Sequence, residues 1–435
     1  MVTKESYIGR IPQEWMECSW DEVLEGFKTG ITPSRKYGEY FKGNIQWFTS
    51  GELKKHYICH SIERISDRAV ADTNIVIYPA GTFVMAIIGL EAEGTRGSCA
   101  LLGASGAINQ SCVAVTGTEK LSSEYLYYFY SQYGTKLDLE FCQGTKQQNL
   151  SSDIVKRLPI CFPPNVTEQN EIVQILSDVD ELIVNLEKLI EKKKAIKQGT
   201  MQDLLTGKKR LPGFNDEWKE HALSDYAECI RGVSYDGSRD VFLNESDNTI
   251  RLLRSNNIQD AQFVNRGIQY VRRSRASEKQ LIRQGDIMVC MANGSKSLVG
   301  KSCYFGKDMH GLYSFGAFMS VVRLLNIKDG AKYIFYLMNS DTYWKNIALL
   351  LSGSSINNLR PGDILGMVFK FPDKDERDAI TKVLDDMENE IIDLENKLVK
   401  YRQIKHGMMQ KLLTGQIRLI LCGIGGALLW RSQNG

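Results

Sequence analysis

An α+β fold used twice, two globular domains each followed by one long helix, is what this chain of 435 residues predicts. Three observations predict it. The phrase GTMQDLLTGKKRLPG, beginning at Gly199, returns as GMMQKLLTGQIRL at Gly407, an offset of 208 residues. Upstream of both copies the apolar residues repeat with the same spacing. The segments outside the helices also resemble each other, one opening on IPQEW at Ile11 and the other on LPGFNDEW at Leu211. The length already argues for more than one domain, because a single hydrophobic core rarely serves so long a chain.

The helices come first because their signal is strongest. Ile172, Leu176, Val179, Ile183, Leu186 and Ile190 are spaced 4, 3, 4, 3, 4, and so are Ile380, Leu384, Met387, Ile391, Leu394 and Leu398. That is the apolar seam of a heptad pattern, and it predicts helices over 168–205 and 376–413, each about 55 Å long. Glu168 and Glu376 fall in the first turns, where a carboxylate favours the helix dipole. Gly207 and Gly415 stand where a C-terminal glycine cap belongs, and Pro163, Pro164 and Pro372 bound the helices upstream. A narrow apolar stripe needs a partner, and the simplest is the other copy. If the segment between the helices is compact with its ends close together, the pair runs antiparallel.

The globular parts follow. IQWFTSG (Ile45 to Gly51) parallels IRLLRSN (Ile250 to Asn256), and GTKQQNL (Gly144 to Leu150) parallels GSSINNL (Gly353 to Leu359). Runs such as GTFVMAIIG and GDIMVCMANG read as strands, whereas YLYYFYSQY fits a helix. The expected division is a first domain over 1–160, a helix region over 161–210, a second domain over 211–370, a second helix region over 371–418, and an apolar tail over 419–435. The tail's uncharged stretch, Leu419 to Trp430, is too short to span a bilayer.

Composition narrows the function classes. With 43% hydrophobic and 24% charged residues the chain matches an ordinary soluble protein, and nothing before residue 419 is apolar enough to cross a membrane. No signal peptide opens it, and its ten cysteines lack CxxC spacing, so reduced thiols and a cytoplasmic location are expected. The net charge is only +2, so any nucleic-acid surface must be local. One basic cluster stands out: Arg251, Arg254, Arg266, Arg272, Arg273, Arg275, Lys279 and Arg283. By itself such a cluster is more often a solvated face.

Catalytic motifs fail on spacing. GSKSLVGKS encloses five residues between Gly294 and Gly300 where a phosphate-binding loop needs four, and its continuation reads as a strand rather than a helix. FPPN (162–165) resembles the adenine-methyltransferase NPPY or DPPY but lacks the leading Asn or Asp. His56, Cys59 and His60 of HYICH have no second cluster to complete a metal site. Glu191 with Lys193 imitates a nuclease fragment but lies on a lysine-rich helix. A non-catalytic chain that binds no cofactor is expected.

Two similar, non-identical domains joined by antiparallel helices suit the twofold backbone of DNA, with each domain at its own half-site. The domain, helix, domain, helix order, the MQDLLTG and MQKLLTG helix endings, and the IP..W and LPGF...W domain openings resemble the specificity subunit of type I restriction-modification systems over nearly the whole chain. The resemblance implies two target-recognition domains, each reading one half of a bipartite, asymmetric double-stranded DNA site. It implies helices that set the spacer and dock two methyltransferase subunits. S-adenosylmethionine, ATP and Mg are then held by modification and restriction subunits, not by this chain, and no membrane is involved. DNA-contact candidates are polar and basic residues in the segments shared by both domains. In the first they are Ser34, Arg35, Lys36, Thr49, Ser50, Lys54, Lys146, Gln147 and Gln148. In the second they are Arg254, Ser255, Asn256, Asn257, Arg272, Arg273, Arg275, Lys296 and Ser355. Arg suits guanine and Asn or Gln adenine, while Lys and Ser more often hold phosphates. Two other classes compete with this expectation: a coiled-coil scaffold that assembles proteins without reading DNA, and a self-sufficient modification enzyme, against which the missing cofactor loop argues.

Overall fold

The computed structural model describes residues 2–144, 148–306, 311–326, 330–352, 357–421 and 428–432, with the backbone alone for 420–421 and 428–432. The chain divides into two compact units, residues 1–187 with 397–435, and residues 188–396. Each long helix therefore contributes one half to each unit.

In the first unit a five-stranded sheet has the order Glu25–Thr29, Cys112–Thr116, Phe83–Ala86, Cys99–Leu102, Tyr57–Ile58. Its pairs are antiparallel except the last. The strand at its centre, FVMA, is buried along its whole length, as a short unbroken apolar run between turns suggests. A smaller sheet places Ile45–Phe48 between Gly106–Ile108, parallel, and Glu63–Ile65, antiparallel. The helix Ser123–Phe141 covers the large sheet, burying Tyr125, Tyr128, Phe129 and Tyr130. Pro159–Phe162 pairs antiparallel with Met16–Ser19 and leads into the first long helix. FPPN thus closes the domain.

The second unit repeats the plan. Its large sheet has the antiparallel order Ala227–Arg231, Met319–Leu324, Ile287–Cys290, Ser302–Tyr304. Its small sheet places Thr249–Leu253 between Gln269–Arg272, antiparallel, and Tyr313–Phe315, parallel. Lys219–Ala222 pairs with Val368–Phe371 before the second long helix. The large sheet has one strand fewer, and two helices, Ala331–Leu337 and Asp341–Ser352, stand in place of the single aromatic helix of the first unit. Ser340 makes the break, its hydroxyl accepting the Tyr343 N–H at 3.3 Å to start the second helix.

The long helices span Val166–Leu205 and Lys374–Leu412. Within each unit they run antiparallel. In the second, Lys193 meets Glu390 and Lys197 meets Glu388; in the first, Lys405 meets Asp180 and Arg402 meets Glu187. Ile172, Leu176, Ile380 and Leu384 are at most 1% exposed, because here the seam also packs on a domain core. Gly207 (φ 68°) and Gly415 (φ 65°) cap the two helices in the left-handed conformation.

Glu168 and Glu376 do more than favour a dipole. Arg210 grips Glu376 through Nε and Nη2, both at 2.6 Å, and Trp218 Nε1 donates to the same carboxylate at 2.9 Å. Arg418, 208 residues after Arg210, grips Glu168, with Nη2 to Oε2 at 2.7 Å, and also reaches Glu14. The repeat therefore continues past the helix end. Ile417–Leu421, which crosses the expected start of the tail, pairs antiparallel with Leu428–Ser432, and Leu419 is buried in the first unit's core. The rest of the tail, 422–427 and 433–435, lies outside the described residues.

Candidate nucleic-acid interface

In the second unit the central strand of the small sheet, Thr249–Leu253, ends at Arg254, which caps the short turn Ser255–Asn257. Asn257 fixes that turn. Its Oδ1 accepts the Arg254 N–H at 2.9 Å, and its Nδ2 donates to the Val264 and Arg266 carbonyls, each at 3.0 Å. The mouth of the domain opens beside it as a groove of about 910 Å³. Tyr235, Arg254, Ser255, Asn256, Asn293, Phe318 and Asn357 line it together with Ala292, Gly294, Gly316, Ala317 and Met319. Asn293 Nδ2 donates to Ser255 Oγ at 3.2 Å, and Asn357 Nδ2 to the Gly294 carbonyl at 3.3 Å. Phe318 stands 70% exposed at the rim. A cation, three amides and two aromatic rings, with no carboxylate in the lining, make a surface suited to hydrogen-bond acceptors.

The predicted residues are thus partly gathered. Arg254, Ser255 and Asn256 share the groove, whereas Asn257 is fully buried and spends its amide on the turn. Four other arginines of the basic cluster are paired with carboxylates. Arg272 and Arg275 flank Asp240 (3.6 and 2.9 Å), Arg273 pairs with Glu278, and Arg251 with Glu245. Lys296 is exposed in the turn Lys296–Leu298 that follows Gly294. Ser355 lies outside the described residues. Tyr235, Asn293, Phe318 and Asn357 were not anticipated. Asn357 belongs to the repeated GSSINNL segment, and Asn293 to an Asn-Gly turn; these were the available signals.

In the first unit, Thr49 occupies the place of Arg254. It follows Ile45–Phe48 and caps Ser50–Glu52, its Oγ1 donating to Glu52 at 2.7 Å. Ser50 is half-buried and Lys54 exposed. Ser34, Arg35 and Lys36 are exposed on one loop, yet the Arg35 guanidinium is committed, making two 2.6 Å bonds to Glu63 and lying 4.5 Å over Phe41. Gln148 takes a hydrogen bond from Arg96 on its side-chain oxygen, and its backbone N–H donates to Glu91 at 2.8 Å. Lys146 and Gln147 lie outside the described residues.

The other motifs have structural roles. His56 stacks on Tyr127 at 4.0 Å and lies 3.6 Å from Asp180; burial, aided by Lys405, pushes it down to about 4 against the pull of Asp180. It is neutral at physiological pH. No group of three metal-ligating side chains occurs among the described residues. Lys301, at the end of the false phosphate loop, donates to the Ile258 carbonyl at 2.8 Å, and the strand Ser302–Tyr304 follows it. Among the described residues no helix is long and apolar enough to cross a membrane.

Residues 12–198 match the family model for the type I restriction modification DNA specificity domain. The chain is 24% identical over 441 residues to the MjaIX specificity subunit of Methanocaldococcus jannaschii, covering 96% of both chains. It is 28% identical over 222 residues to the StySPI specificity subunit of Salmonella potsdam and 29% over 201 residues to the EcoKI specificity subunit of Escherichia coli, matching about half the length of each (47% and 42%). The fold resembles the S subunit crystal structure from M. genitalium, with a TM-score of 0.57 at 16% identity, over 95% of this chain and 99% of that one. The chain, with its domain, helix, domain, helix order, is thus similar over nearly its whole length to specificity subunits of type I restriction-modification systems.

Proposed function

We propose that this chain is the DNA-recognition subunit of a type I restriction-modification complex, each domain reading one half of a bipartite, asymmetric site. The observation that carries the reading is a duplicated unit with one scaffold and two different polar rims. The ion pairs of the scaffold recur at the same offset, whereas the first unit carries Thr49 at the position where the second carries Arg254. Equal scaffolds with unequal readers suit two unequal half-sites. In this reading the chain is not an enzyme. Two modification subunits holding S-adenosylmethionine methylate adenine, restriction subunits supply ATP- and Mg-dependent translocation and cleavage, and the assembly works in the cytoplasm. The long helices set the spacer and dock the modification subunits.

The test is an exchange. Residues 1–155 are replaced by the first domain of another family member, the complex is assembled with its modification subunits, and the methylated DNA is sequenced. One half of the recognised sequence changes and the other stays. A change in both halves, or a contiguous site, overturns the reading, and binding with no salt dependence favours a protein scaffold instead.

A further inference from the structure

We infer that Arg254 reads a guanine in the second half-site, and that the amides around it, Asn256, Asn293 and Asn357, select neighbouring adenine; this rests on the proposed DNA-recognition role. Four observations converge. First, Arg251, Arg272, Arg273 and Arg275 each have a carboxylate partner, whereas Arg254 forms no ion pair among the described residues. Its Nε is shut in without an acceptor, and its Nη2 makes only a 3.4 Å contact with the Gly267 carbonyl. A guanidinium kept uncommitted, and lining the groove, while acidic neighbours hold four other arginines of the cluster is available to an outside acceptor.

Second, the side chain is mounted on a stiff base. Arg254 follows a strand paired on both edges, and its backbone is locked by the buried Asn257. Base readout needs that stiffness, because a fork that must match two acceptors at once gains from being held in place. Third, the lining holds donors and no carboxylate, so it complements the acceptor-rich major-groove edge of a purine: O6 and N7 of guanine for Arg, N7 with the amino group of adenine for Asn. Phe318, exposed beside them, offers the apolar contact that a thymine methyl takes. Fourth, the first domain presents Thr49 at this place, already bonded to Glu52, so the Arg254 fork belongs to one half-site alone.

The test assembles the wild-type chain and the variants Arg254→Lys, Arg254→Ala and Asn256→Ala with the modification subunits, then sequences methylated duplexes recovered from a randomised library. The wild type yields a bipartite site with a guanine in the second half. Both Arg254 variants lower discrimination for that guanine about 10- to 100-fold and leave the first half unchanged. Lys keeps the charge but not the two-pronged fork, so Arg254→Lys separates base reading from phosphate contact. Asn256 is exposed, so Asn256→Ala stands even where Arg254→Ala fails to assemble; it relaxes one adenine position. If Arg254→Lys retains the guanine preference, or the variants change affinity without changing sequence, the inference is overturned while the subunit role survives. If the wild-type complex selects no bipartite site, the subunit role itself falls, and the inference with it.

Discussion

Single residues carry most of the repeat's precision. Lys405–Asp180 and Arg402–Glu187 in one unit stand 208 residues from Lys197–Glu388 and Lys194–Glu395 in the other, and Arg418–Glu168 answers Arg210–Glu376. These pairs differ in energetic weight. Glu168 is nearly buried, so Arg418→Ala strands its carboxylate and destabilises the first unit by about 3 kcal/mol. Arg402→Ala, on an exposed pair, changes stability by less than about 0.5 kcal/mol. Urea midpoints of the two variants decide this; similar losses would show that burial does not set the difference. At this scale the sequence was least legible. Asn257 and Asn256 are adjacent and chemically identical, yet one is sealed inside the turn and the other lines the groove, and only the path of the backbone separates them. The arginine cluster looked like one basic face because Asp240 and Glu245 lie outside it in the sequence and beside it in space.

Elements were read more easily. Both long helices begin within two residues of the expected positions, since a heptad seam, first-turn carboxylates and glycine caps all act locally. The seam itself is unevenly sealed: Val179, Met387, Leu394 and Leu398 stay half-buried, because two helices alone have too few walls to enclose every apolar residue. The caps differ in a way the repeat conceals. A Cβ on Gly207 would meet the Trp218 ring at an ordinary 3.5 Å, whereas one on Gly415 would lie 2.5 Å from Pro12 Cγ. Gly207→Ala therefore carries only the left-handed strain, about 1 kcal/mol, and Gly415→Ala costs clearly more because the N-terminal strand must also move. Thermal melts of both variants measure the gap, and equal shifts would mean Pro12 yields freely. The split of the second aromatic helix at Ser340 was not legible, since a serine inside a helical pattern breaks it only where tertiary packing favours the cap.

The whole molecule is a circular pattern opened in one place. In the first unit Gly415 meets Pro12, which supplies for the second helix ending the entry that Leu211 and Pro212 supply after the first. Under the proposed function the helices act as the ruler between half-sites, so inserting four residues, about one turn or 6 Å, into the first long helix after Lys192 changes the spacer by one or two base pairs. Sequencing the methylated sites reads the spacer directly, and an unchanged one removes the ruler role. What the sequence determined by itself is the duplication, the two long helices with their ends, and the family resemblance, because periodicity, capping and repeats are local or self-similar signals that need no fold to be seen. The tertiary structure alone decided that Arg254 stands uncommitted in the groove, which asparagine faces outward, and that Arg418 belongs to the scaffold. Arg418 meets Glu168 250 residues away, and the groove gathers Arg254 with Asn293 and Asn357 from distant loops, and only chain folding brings such partners together.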